Sequence, residues 1–315
     1  MLTISAEDSR ELLTFEKLIY SLRETFKSGA EAPLRLHYEL SNASNLAATM
    51  LLMPSWSFDK GFGGVKIVNV NPGNNAQNLP SISASYLLFD IETGQHLCLM
   101  DASYMTSKRT AAASALAASY LAKPDSSKLL IVGAGKVGSE LADAFREVLP
   151  IEEILVWDRK MSQSSNLVKR LIAKDLNAKV IDSLEQGVKS ADVISCATLA
   201  EEPIIKGDWL SPGQHIDLIG SFTPIMREVD DKAIQCSKIF VDTQAAVIES
   251  GELQIPLNNG VIVESDIGPT LYDLCATEKK WRSPEDITLF KGVGHAIEDL
   301  AAATLVYEAQ LATMN

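Results

Sequence analysis

The sequence predicts an α/β protein built on a doubly wound parallel sheet, and three observations carry that prediction. An apolar run, Lys128-Leu-Leu-Ile-Val, passes directly into Gly133-Ala134-Gly135-Lys136-Val137-Gly138 and then into a helical pattern. A second run, Glu153-Ile-Leu-Val-Trp157, ends on Asp158, in the region where dinucleotide-binding folds carry an acid about 20 residues beyond the glycines. Further short apolar runs at 178–181, 191–195, 215–219, 238–241 and 287–290 follow, with helical intervals between them, as a parallel sheet with crossover helices requires.

Each glycine of the loop has a separate reason in a dinucleotide site. Gly133 permits the tight turn, Gly135 lets the backbone approach a pyrophosphate, and Gly138 lets the helix lie close on the strand. The helix N-terminus then receives the phosphates. The loop is no phosphate-binding loop of the nucleoside triphosphatase kind, because Lys136 sits inside the glycine frame and Ser139 follows Gly138 where that motif needs lysine. Asp158 is the expected ligand of a ribose 2′-hydroxyl, which favours NADH. Arg159 and Lys160 are placed to clamp a 2′-phosphate, which favours NADPH, or else form a solvated turn. Use of both cofactors is expected.

Before Lys128 the pattern changes. Leu34–Tyr38, Val65–Val70 and part of Ile82–Asp90 alternate, with Asn-Pro-Gly and Glu-Thr-Gly turns between them, which reads as a mainly antiparallel β domain. A helix from Glu7 to roughly Phe26 opens it, and an alanine-rich helix from about Lys108 to Leu121 leads out into the linker Lys123-Pro-Asp-Ser-Ser127. After the last sheet strand, a helical stretch from Ala296 to Leu311 has no further sheet to join and returns to the first domain. The division read from these features is 1–122 with 293–315, and 123–292.

Composition excludes several classes of function. A net charge of −13 opposes nucleic acid and anionic membrane surfaces as partners, so an anionic substrate needs a local basic pocket. No run approaches the ~20 apolar residues of a membrane span, and the N-terminus lacks the basic start and hydrophobic core of a signal peptide; a cytoplasmic protein is expected. Four cysteines without Cys-x-x-Cys spacing and four scattered histidines suggest no metal site.

Three cations stand out. Arg109, with Lys108, sits at the expected start of the alanine-rich helix, where cations oppose the helix dipole; a bound anion would remove that conflict. Arg109 is read as functional and Lys108 as a solvated side chain. Lys66 shares a strand face with Val68 and Val70. It is either an edge-strand guard or a pocket lysine that binds a carboxylate or gives up a proton near neutral pH. Arg35 alternates with His37 and Glu39 and reads as a surface arginine.

These residues, together with Gly64-Val-Lys66-Ile-Val, Leu79-Pro-Ser, Leu87-Leu-Phe-Asp90, Thr106–Ala115, Asp242–Ala246, Glu249-Ser-Gly251 and Gly294-His-Ala-Ile-Glu-Asp299, strongly resemble the ornithine cyclodeaminase and mu-crystallin family through nearly the whole chain. The resemblance implies an N-terminal α/β domain for substrate and dimerisation, completed by the C-terminal helix, a Rossmann domain binding NAD(H) or NADP(H), an active site between them, and a homodimer. It makes Arg35, Lys66 and Arg109 the cations around a substrate α-carboxylate, with Lys66 the proton donor, and adds Thr198 and Val293 to the cofactor contacts. It also overturns the surface reading of Arg35. One departure directs the substrate: cyclodeaminases carry an aspartate where Phe222 stands in Gly220-Ser-Phe-Thr-Pro-Ile-Met-Arg-Glu228. A phenyl ring cannot transfer the protons of a distal amine. The wording instead resembles the branch that reduces cyclic ketimines, notably Δ1-pyrroline-2-carboxylate to proline. The alternatives are an ornithine cyclodeaminase or alanine-type dehydrogenase, and a non-catalytic small-ligand-binding protein of the mu-crystallin kind.

Overall fold

The computed structural model describes residues 1–40, 48–71, 73–74 and 79–314. The chain forms two compact units, Met1–Arg109 with His295–Asn315, and Thr110–Gly294.

The first unit contains β1 (Leu2–Ile4), α1 (Ala6–Leu12), α2 (Phe15–Lys27), β2 (Leu36–Leu40), β3 (Ala48–Ser57), β4 (Phe62–Val70), β5 (Ile82–Asp90), β6 (His96–Asp101) and the start of α3 (Ala102–Leu121). Its six-stranded sheet runs β1-β6-β5-β4-β3-β2, antiparallel except for β1, which lies parallel to β6. The single opening helix expected from the sequence is two helices. Thr14 leaves the helical region and its side chain caps α2 at the Lys17 amide, which satisfies an otherwise orphan donor. The alanine-rich helix begins at Ala102 rather than near Lys108, so Lys108 and Arg109 lie inside it and the expected clash with the helix dipole does not arise. The expected Asn-Pro-Gly turn includes Pro72, which lies outside the described residues.

One face of this sheet is covered by the C-terminal helix, Ala296–Met314, against which α2 packs, and that helix is buried along most of Ala296–Val306. Cross-strand register puts Leu36, Leu52, Ile67 and Ser85 together on the opposite face, where Leu36, Tyr38, Ile67 and Leu99 are exposed. Strand β3 thus carries apolar side chains on both faces, and it lacks the alternation that makes β4 and β5 legible.

The second unit contains β7 (Lys128–Val132), α4 (Gly138–Arg146), β8 (Glu153–Trp157), α5 (Met161–Ile172), β9 (Ala178–Val180), α6 (Leu184–Ser190), β10 (Val193–Cys196), β11 (His215–Leu218), α7 (Asp231–Gln235), β12 (Ser237–Val241), α8 (Ala245–Glu249), α9 (Gly251–Asn258), β13 (Ile267–Thr270), α10 (Leu271–Ala276) and β14 (Ile287–Lys291). All eight strands are parallel, in the order β13-β12-β14-β11-β10-β7-β8-β9. This is the doubly wound sheet that the sequence predicts. The chain moves outward from β7 to β9 and then returns to β10 on the other side of β7, so the switch point lies between β7 and β10. Ligands of such sheets bind beyond the carboxyl ends of the strands at that point. The edge strand β13 escapes a sequence reading because Ile-Gly-Pro-Thr carries two strand breakers, tolerated only at an edge.

His215, at the amino end of β11, is fully buried. Thr288 Oγ1 donates to the Leu121 carbonyl, so it accepts from His215 Nδ1 at 2.9 Å. Burial, then the charge of Arg282, lowers the imidazole pKa from 6.5 to about 3. The unfolded chain therefore takes up a proton below pH 6.5 that the folded chain refuses, and stability falls as pH drops from 6.5 toward 3. Between pH 6.5 and 4.5 this group alone should cost about 2–3 kcal/mol. Urea titrations of the wild type and His215→Gln at both ends of that window should differ in the stability lost across it by this amount; parallel pH dependences would show that His215 titrates alike in the folded and unfolded chain.

Candidate active site

Strand β4, helix α3 and the first turn of the C-terminal helix each bring charge to one buried point of the first unit. Lys66 Nζ lies 2.7 Å from Asp299 Oδ2. Arg109 Nε donates to Asp299 Oδ1 at 3.0 Å, and Arg109 Nη1 to Glu298 Oε2 at 2.5 Å. All four side chains are at most 5% exposed. Charges taken this far out of water persist only when paired, and removing one partner from such a pair costs about 3–5 kcal/mol.

The cluster tunes its members in different directions. Burial, then the charge of Arg109, pulls the Lys66 ammonium down to about 8 although Asp299 opposes both, and Arg35 adds to the lowering. Burial would raise the Asp299 carboxyl, but the charges of Arg109 and Lys66 outweigh it and hold the pKa below the usual carboxylate value. Arg109 is pushed the other way: despite burial, Asp299 and Glu298 fix it as a cation. Lys66 thus changes charge near neutral pH, while Arg109 and Asp299 do not.

The structure removes the edge-strand reading of Lys66. Strand β4 is interior to its sheet, so an edge guard is not needed there. Arg35 is half-buried just before β2, and extension of the β2–β3 register places it opposite Met53, the partner of Lys66. The face it shares with His37 and Glu39 is therefore the Lys66 face. Lys108 is not simply solvated: its ammonium lies 3.7 Å from the centroid of the Phe15 ring, a cation–π contact. The basis offered for Arg109 in sequence, an anion at a helix start, is replaced by two carboxylates from the C-terminal helix. Sequence reasoning missed Glu298 and Asp299 as site residues. A signal existed: two adjacent acids open a helix whose next residues, Leu300-Ala-Ala-Ala, are apolar all round, so the acids must meet buried partners.

In the second unit the glycine loop fits a dinucleotide. Gly133 has φ +99°, and a Cβ there would meet the Ala197 carbonyl oxygen at 2.7 Å; one at Gly138 would meet the Gly133 carbonyl oxygen at 1.9 Å. A Cβ at Gly135 would meet no protein atom within 4 Å, so packing inside the protein does not demand this glycine, whereas close approach of a pyrophosphate does. The α4 N-terminus, capped at Val137, has no side-chain cap, and Lys136 is exposed beside it. Asp158 accepts from the Ala134 amide and the Lys160 amide, each at 2.8 Å; the same carboxylate that closes the loop has lone pairs left for a ribose hydroxyl. Arg159 and Lys160 are exposed.

Thr198 follows β10, and its amide and hydroxyl both donate to Glu228 Oε1. Val293 follows β14, and its amide donates to Asp242 Oδ2 at 2.7 Å. Both residues stand at carboxyl ends of strands, where the cofactor site of this fold lies. Phe222, in the loop after β11, is 44% exposed although Ser221 beside it is fully buried.

Residues 3–314 match the ornithine cyclodeaminase/mu-crystallin family. The chain belongs to that family. The Δ1-pyrroline-2-carboxylate reductase of Paracoccus denitrificans is 39% identical over 261 residues, 82% of this chain and 82% of that one. The structure of the Thermococcus litoralis Δ1-pyrroline-2-carboxylate reductase in complex with NADH and L-proline is similar with a TM-score of 0.94 at 36% identity, covering 100% of this chain and 98% of that one. An archaeal alanine dehydrogenase dimer with bound NAD is similar at 0.92 and 31%, covering 100% and 97%. No described helix of this family member is long and apolar enough to cross a membrane, and the described residues hold no cluster of metal-ligating side chains.

Asp299→Asn should lower the Lys66 pKa well below 8, because the attraction that supports the ammonium is lost while burial and Arg109 remain. Direct titration of the Lys66 ε-amine by NMR checks this. An unmoved titration would show that Asp299 does not set the charge of Lys66.

Proposed function

We propose that this chain reduces a cyclic ketimine with NAD(P)H, with Δ1-pyrroline-2-carboxylate as substrate and L-proline as product. The observation that carries the reading is the buried cluster in which Lys66, with a pKa near 8, lies beside Arg109 and within the field of Arg35. It is a local basic site in a chain of net charge −13, which an anionic imino acid requires. The complexes of the relatives with NADH and L-proline and with NAD support the reading, as does Phe222 in place of a proton-transferring aspartate.

In this reading the chain is an oxidoreductase acting on a C=N bond. The reduced nicotinamide, when bound, supplies the hydride to the ring carbon that bears the carboxylate. Arg35 and Arg109 orient that carboxylate, Arg109 through guanidinium donors not engaged by Asp299 and Glu298. Lys66 donates its Nζ proton to the ring nitrogen, so the bond that accepts the hydride is an electrophilic iminium and the product nitrogen carries the proton. The backbone of Gly133–Gly138 would receive the pyrophosphate, Asp158 and Arg159 would read the ribose 2′ position, and Thr198 and Val293 would contact the cofactor. Phe222 presents an apolar surface to a ring that has no distal amine.

We assign 1–122 with 293–315 to substrate binding and dimerisation, and 123–292 to the dinucleotide. A second copy of the chain covers the exposed apolar sheet face around Leu36, Tyr38, Ile67 and Leu99, since monomers rarely leave such a face to water. An alanine-type dehydrogenase is the second reading, supported by the bound-NAD relative, because the same cations would hold an open-chain imino acid.

NADH and NADPH oxidation measured over Δ1-pyrroline-2-carboxylate, its six-membered homologue, pyruvate with ammonia, and ornithine separates these readings; turnover of ornithine alone would overturn the proposal. Lys66→Met should lower kcat by about 100-fold or more and remove the fall in activity as pH rises through 8. A pure rise in KM would make Lys66 a binding cation only. Arg159→Ala should weaken NADPH selectively and Asp158→Ala should weaken NADH selectively; equal losses for both cofactors would show that this loop does not read the 2′ position.

A further inference from the structure

Two buried carboxylates of the second unit have no part in the chemistry described above. Glu228 and Glu252 are both fully buried, and their oxygens accept from main-chain amides on both sides of one loop. Glu228 Oε1 takes the Thr198 amide at 2.7 Å and the Thr198 hydroxyl at 2.8 Å, while Oε2 takes the Gly220 amide at 2.9 Å. One carboxylate thus ties the ends of β10 and β11 together. Glu252 takes the amides of Glu228 at 2.8 Å and Val229 at 3.0 Å and the Ser221 hydroxyl at 3.1 Å. Ser221 is also 2.9 Å from the Ser250 hydroxyl, and the Gly251 amide donates to the Thr223 carbonyl at 2.9 Å.

The glycines fit this clamp and nothing larger. A Cβ at Gly220 would stand 2.3 Å from Glu228 Oε1 and 2.0 Å from the Thr198 carbonyl oxygen; one at Gly251 would stand 2.4 Å from the Pro224 carbonyl oxygen. Such close approach of carboxylate to backbone is expensive in buried, desolvated groups unless every acceptor is used. The loop that carries Phe222 is therefore tied at Gly220, Ser221 and Thr223 and again at Glu228 and Val229, while the phenyl ring is left exposed. A merely structural loop has no need to present an aromatic ring to solvent from so rigid a frame.

We propose that Glu228 and Glu252 are positioning residues that fix the loop carrying Phe222, and so act on substrate selection through that ring. This inference rests on the reading of Phe222 as part of the substrate site. It is tested with Glu252→Gln, Phe222→Ala and the double variant in the full-length protein, by KM and kcat for Δ1-pyrroline-2-carboxylate, NADH affinity, and amide hydrogen exchange of the segment 219–229. Glu252→Gln should raise KM roughly ten- to a hundredfold, as misplacement of a contact surface does, with NADH affinity within about twofold and faster exchange confined to 219–229. Phe222→Ala should add little in the Glu252→Gln background, because both changes remove the same function. Ser221→Ala, which deletes a single hydroxyl from the clamp, serves if Glu252→Gln does not fold, and should raise KM in the same direction by a few-fold. Multiplicative effects of the two substitutions, or wild-type exchange in 219–229, would overturn the proposal. If the wild type turns over no cyclic imino acid, the substrate reading falls, and the exchange measurement still decides the clamp.

Discussion

The first unit is organised around the bond between Lys66 and Asp299. An ammonium and a carboxylate this deep in a fold must satisfy each other, and the two come from the middle of a sheet and from the far end of the chain. The C-terminal helix is thereby committed to its place over β4, with Glu298 and Asp299 in its first turn, where the helix dipole favours acids. Arg109 from α3 completes the cluster. Ion pairs of this kind add little net stability compared with apolar packing. Their value lies in what they do to Lys66, whose pKa of about 8 is the sum of burial and a neighbouring cation against a neighbouring anion.

The second unit solves a different problem. Its parallel sheet supplies a dinucleotide site from main-chain geometry, with close approach at Gly133 and Gly138 and an unoccluded Gly135. At the carboxyl ends of its strands, side-chain acids rather than glycines set the loops: Asp158 holds Ala134, Glu228 holds Thr198 and Gly220, and Asp242 holds Val293 and Gly294. Each carboxylate accepts amides that a strand end would otherwise leave unpaired.

Much of this was legible in the residues. The strands β7, β8, β11, β12 and β14 announced themselves as apolar runs, and the glycine loop with Asp158 named its ligand class. The strands β1, β3, β6 and β13 escape a sequence reading, three of them for a plain physical reason: β3 is apolar on both faces, β13 contains Gly and Pro, and β1 has only three residues. Boundaries misled more than identities. Ala102–Ser107 lack strong periodicity, so the sequence places the start of α3 near Lys108, whereas the helix begins at Ala102 and Arg109 lies inside it. Alternation alone reads Arg35 as a surface residue, because it tells which side chains share a face but not which face is covered, and only the family resemblance moves Arg35 into the site. For Glu298 and Asp299 the local pattern shows that buried partners are needed but not which ones, since the partners of a buried charge are set by tertiary contacts.

The proposed reaction delivers a hydride to the carbon bearing the carboxylate of a cyclic imine held by the Lys66 and Arg109 cluster. It is tested most directly by supplying C4-deuterated NADH with Δ1-pyrroline-2-carboxylate and locating the deuterium in the product by mass spectrometry and NMR. The account predicts proline with one deuterium at the α-carbon from the wild type, and a steep loss of that product with Arg109→Ala. Absence of deuterated proline, with deuterium instead in alanine when pyruvate and ammonia are supplied, would contradict it.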